Sequence, residues 1–111
     1  MVVLIQSDPR SSHRACEGIR IALGLAASEH HVTVLLTKHA VRLLQKDKTD
    51  WIDEERLEHF LSAFEGFPNT FFIDAASAET DGLSEHDAEA PFLSQSACAE
   101  KIAQTDCFFS F

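Results

Sequence analysis

Apolar residues along this chain follow two rhythms. Short apolar runs over residues 2–5, 32–36, 70–73, 90–93 and 107–111 suit strands covered on both faces. Between them, apolar residues recur at helical spacing. Ser11 or Ser12 is placed to cap a helix reaching about residue 28, with Ala15, Ile19, Ala22, Leu23 and Ala26 on one face. Gly18 and Gly24 weaken that helix slightly but allow close packing on a sheet. A short helix over 39–45 carries Ala40, Val41, Leu43 and Leu44, and a polar surface loop over 45–53 is tacked down by Trp51. Leu57, Phe60, Leu61 and Phe64 repeat at i, i+3, i+4 and i+7 in a helix over 53–65, capped by Asp53 and ended by Gly66 and Pro68. The run 70–73 stops abruptly on Asp74, and small residues follow before Asp81-Gly82. This reads as a buried strand turning into a short helix. Ser94 or Ser96 then caps a helix to about Gln104, with Ala97, Cys98 and Ile102 facing in.

Strands alternating with helices predict βαβ units with right-handed crossovers. The expected fold is α/β: a flavodoxin-like or Rossmann-like three-layer sandwich on a mainly parallel five-stranded sheet. The 111 residues fit one domain, 1–111, able to bury roughly two-thirds of its unfolded surface. Nine Phe and no Tyr suggest an aromatic core. The net charge of −9 argues against direct nucleic-acid binding. No run approaches the ~20 apolar residues that span a bilayer, and Met1 leads straight into a strand, so a cytoplasmic, untargeted protein is expected. Three cysteines without CxxC spacing argue against disulfides and zinc and read as buried thiols. Six histidines without ligand spacing predict no metal. The absence of GxGxxG and GxxxxGK[ST] leaves an NAD or NTP site with weak support, so no cofactor is expected, and the absence of GxSxG leaves hydrolase chemistry without positive evidence.

The candidate chemistry gathers at the carboxyl ends of the strands, where α/β sheets place their sites. Asp74 can act as a base or cap the helix that follows; its type favours the cap. Cys16, near a helix N-terminus with His13 and Arg14 beside it, is expected to have a lowered thiol pKa. Cys98 and Cys107 read as core. Arg10, Ser11, Ser12 and Lys38 form a candidate anion corner near Asp74.

With these residues laid out, the chain resembles the DsrE/DsrF-like family of sulfur-relay proteins, nearest its TusC/DsrF-type subunit. The resemblance runs through the first strand, the Ser-rich loop and Ala15-Cys16-Glu17-Gly18-Ile19, through residues 32–44, and through Ile73-Asp74-Ala75-Ala76-Ser77 to Gly82-Leu83. It extends to Cys107-Phe108-Phe109-Ser110-Phe111. It implies a sulfur-transfer assembly built as a homo- or hetero-oligomer with DsrE-type or TusB/DsrH-type subunits. In active family members a persulfide-carrying cysteine holds the place of Asp74, and Arg holds that of Asp81. The expectation is therefore a subunit lacking the usual catalytic cysteine. The alternatives are a sulfurtransferase using Cys16 or Cys107, and a small-anion or nucleotide-binding module. Cys107 is similar in place to the working cysteine of TusB/DsrH-type subunits.

Overall fold

The computed structural model describes residues 1–45, 51–67 and 70–111. Five strands, β1 (Val2–Ile5), β2 (Thr33–Leu36), β3 (Phe71–Asp74), β4 (Phe92–Leu93) and β5 (Phe108–Ser110), form one sheet in the order β4-β3-β2-β1-β5. Every ladder in it is parallel. The chain steps outward from β1 to β4, and only β5 returns past the first strand.

Alternate residues of each strand face opposite layers. Val3, Ile5, Val34, Leu36 and Ile73 join the larger core. It is covered by α1 (Arg14–Ala27), a 3₁₀ segment Lys38–Leu44, α2 (Glu54–Ala63) and α3 (Ala75–Thr80). Val2, Leu35, Leu4 and Phe72 point the other way and meet Cys98 and Ile102 of α4 (Gln95–Gln104). The sandwich thus has three layers, one of them a single helix.

Several local expectations are corrected. Helix α1 begins at Arg14 because Pro9 to Ser12 make a turn on Asp8: Ser11 and Ser12 donate their N–H groups to its carbonyl. Ser12 Oγ accepts from Arg14 N–H at 3.1 Å and does not cap the helix body. Asp53 precedes α2 without a capping hydrogen bond, because its carboxylate is drawn 2.7 Å from His13 Nδ1. The short helix expected over 39–45 is present as a 3₁₀ segment, Lys38–Leu44. Gly18 does allow close packing, since a Cβ there would lie 2.9 Å from Ile5 Cγ1, but Gly24 has nothing within 4 Å. Of the nine Phe, Phe64 is buried, seven are partly buried and packed against the two core clusters as expected, and only Phe108 is exposed. Trp51 is buried as expected, and Ile52 N–H donates to Pro9 carbonyl at 3.0 Å. The rest of the loop expected there, 46–50, and the expected breaker Pro68 lie outside the described residues.

Candidate functional site

Asp74 closes β3 and sits at the N-cap of α3 in extended conformation, 8% exposed. Its Oδ2 accepts from Ser77 N–H at 3.2 Å and from Ser77 Oγ–H at 2.6 Å. The run of small residues after Asp74 lets the chain turn directly from strand to helix, and the carboxylate satisfies one of the free first-turn donors.

Helix α3 ends as deliberately as it begins. Leu83 N–H reaches back to Ala78 carbonyl at 2.8 Å and Gly82 N–H to Glu79 carbonyl at 3.2 Å. This is a Schellman motif, with Gly82 at φ +75 and Leu83 buried near Ala78 in the same core. Asp81, at the C-cap, turns its carboxylate toward the 3₁₀ segment. It pairs with His39 Nδ1 at 2.8 Å and with Arg42 Nε, while Arg42 Nη2 donates to the Asp81 backbone carbonyl at 2.8 Å.

Between α3, the 3₁₀ segment and the start of α4 lies a cleft of 360 Å³, lined by Lys38, His39, Asp74, Ser77, Asp81 and Gln95 among others. Lys38 enters it from a left-handed backbone, φ 53, which a residue with a Cβ adopts only under constraint. Of the expected anion corner, Lys38 alone lines this cleft. Arg10 is clamped on Asp8, its Nη2 3.0 Å from Oδ2 and its Nε 3.1 Å from Oδ1, and this holds the Asp8 carboxyl below the usual range. Ser11 and Ser12 belong to the turn before α1.

The thiols divide differently from the sequence expectation. Cys16 is 1% exposed within the larger core. Burial pushes its pKa up, against a smaller lowering by Arg56, so the lowered value expected from the helix N-terminus is overturned. Cys107 is half-buried beside the edge strand. Cys98 is the residue sequence reasoning passed over: its Sγ lies 4.0 Å from Asp74 Oδ1, behind the cleft. Burial first, and the Asp74 charge second, raise its pKa as well. Nothing in the residues around Cys98 signals this pairing, which depends on β4 delivering α4 next to β3. Among the described residues, no group of three or more His, Cys, Asp or Glu is placed to hold a metal ion. No helix among them is long and apolar enough to cross a membrane.

Comparison with known proteins bears on the whole chain. The family model described as DsrE/DsrF-like family matches residues 1–111. Among solved structures, the ychN protein from E. coli superposes with a TM-score of 0.80 over 99% of this chain and 97% of that one, at 16% sequence identity. Likeness at that identity speaks for the fold. No curated protein matches the sequence.

Proposed function

This chain belongs to the DsrE/DsrF-like family, and from that premise we propose that it is a non-catalytic, TusC-like subunit of a cytoplasmic sulfur-relay assembly. The observation that carries the reading is the state of Asp74. A sulfur carrier needs a thiolate that can attack a sulfane sulfur and later release it. At the strand end this chain has instead a carboxylate, buried and engaged by both donors of Ser77. A carboxylate cannot form the sulfur–sulfur bond. The nearest thiol, Cys98, is buried and held protonated by its surroundings. The role left to the chain is assembly with DsrE-type or TusB/DsrH-type subunits that carry the sulfur, and the exposed Phe108 on edge strand β5, at 44%, is consistent with such a contact.

Co-expression with DsrE-type and TusB/DsrH-type partners, followed by light scattering, tests this. A mixed oligomer is expected, and no persulfide should form on this chain when a cysteine desulfurase supplies sulfur. A monomer that ignores both partners overturns the reading. A second reading, sulfur transfer through Cys107, rests on that thiol's being the least buried of the three. It requires a persulfide gel shift that disappears in Cys107→Ser. A shift that survives in Cys107→Ser and disappears in Cys16→Ser would move the activity to the buried thiol.

A further inference from the structure

The strand-end cleft sorts its charges by depth. Its carboxylates lie at the floor and already have donors: Asp74 has both Ser77 groups, and Asp81, with 9% of its side chain exposed, has His39 and Arg42. The cationic side chains stand at the rim. His39 is 58% exposed and Lys38 is exposed, and among the described residues no carboxylate pairs with the Lys38 ammonium. Around the cleft Lys38 and Arg42 offset the formal charges of Asp74 and Asp81, in a chain whose net charge is −9. Gln95, the first residue of α4, and Ser77 add neutral polar groups to the wall. The volume, 360 Å³, lies at the lower end of the ~300–1,000 Å³ typical of small-molecule sites.

His39 adds a directional argument. Its Nδ1 faces Asp81 Oδ1 at 2.8 Å, which places the ring proton there in the neutral form. Nε2 then carries a lone pair, which repels an anion. Protonation converts Nε2 into a charged N–H donor, the stronger kind of hydrogen-bonding partner for an anion. An anion and a proton therefore favour each other at this ring. The charged groups around it are Asp81 from α3, Asp74 across the cleft, Lys38 and Arg42 from its own segment, and Asp8, clamped by Arg10, from the loop after β1.

We propose that this cleft binds a small oxyanion, of the thiosulfate or phosphate-ester type, between Lys38 Nζ and His39 Nε2, and that binding draws a proton onto His39. Lys38 reaches the rim from its left-handed backbone conformation, φ 53. The site goes beyond the assembly role: it does not depend on which subunits surround the chain.

Isothermal titration of the full chain with thiosulfate, inorganic phosphate and AMP, in two buffers of different ionisation enthalpy, tests it. At least one of the anions should bind at millimolar concentration or better, with net proton uptake, and about tenfold more tightly near pH ~6 than near pH ~8. The tightest of them identifies the source: thiosulfate a sulfur oxyanion, AMP a nucleotide phosphate. Lys38→Gln should weaken binding roughly tenfold at both pH values, and Lys38→Arg should restore it. His39→Gln should remove the proton uptake and the pH dependence. Absence of binding by all three anions overturns the proposal. So does a pH dependence that persists in His39→Gln, or an affinity unchanged in Lys38→Gln. Failure to form a mixed oligomer would leave these outcomes untouched, so the two proposals fail separately.

Discussion

Replacing Asp74 with Ala tests whether the strand-end carboxylate is a cap or a reaction centre. The side chain accepts two hydrogen bonds from Ser77, at 3.2 and 2.6 Å, and starts a helix of only six residues. Loss of an N-cap costs about 0.5–2 kcal/mol, and burial of Asp74 puts this site toward the upper half of that range. For a domain of this size, ~1–2 kcal/mol corresponds to a fall in Tm of roughly 4–8 °C. In urea, with m of about 2 kcal/mol/M, it is a midpoint shift of ~0.5–1 M. Asp74→Ser, which keeps a capping oxygen, should lose about half as much or less. A double-mutant cycle with Ser77→Ala isolates the pair, and a coupling of about 1 kcal/mol is expected. Coupling below ~0.3 kcal/mol would refute the cap. A gain of stability in Asp74→Ala would refute it more strongly, because residues held against stability are characteristic of reaction centres.

Gly24→Ala should stabilise the chain by about 0.5–1 kcal/mol, because the position is helical and open, whereas Gly18→Ala should destabilise it by about 1–2 kcal/mol through the contact with Ile5; thermal unfolding of both variants checks the contrast. Timed alkylation with mass-spectrometric mapping should modify Cys107 first and Cys16 and Cys98 only on unfolding. Both buried thiols have pKa values above the ordinary 9.0, so their contribution to stability is complete below that value and is lost as pH rises through the folded values. Urea midpoints measured across the alkaline range should therefore fall above about pH 9, and less steeply in Cys16→Ala than in the parent. Arg42→Ala leaves the Asp81 carboxylate with His39 as its only charged partner among the described residues and should cost about 2–4 kcal/mol, with Arg42→Lys recovering part of the loss in the same assay.

What the sequence disclosed and what it withheld follow from the range of the interactions involved. The strand ending on Asp74 and the cap it makes are local: an apolar run, a short carboxylate and small residues suffice to specify them. The same holds for Ser94, whose Oγ accepts from Ala97 N–H at 3.2 Å as its position suggests. Ser11 and Ser12 misled because a second local signal, the turn on Asp8, competes for the same residues. The pairing of Asp81 with Arg42 and His39 joins positions about forty residues apart and requires α3 to pack on the 3₁₀ segment. The approach of Cys98 to Asp74 requires the strand order itself. The Cys16 pKa was misjudged for a related reason. Helical proximity to His13 and Arg14 is visible in sequence, but the depth of the surrounding core is not, and desolvation outweighs the dipole.

The return of β5 to the side of β1 makes the interior placing of the first strand depend on residues 108–111. Val2, Val3 and Leu4 pair with Phe108, Phe109 and Ser110, and Phe111 N–H donates to Leu4 carbonyl at 2.8 Å. During synthesis the first strand is made early, and its outer neighbour arrives only when residues 108–111 have emerged. Until then the outer side of an apolar strand is an open template on which another chain can pair. A truncation of these few residues would not trim a margin. It would turn an interior strand into an edge and leave an unfinished chain exposed to aggregation.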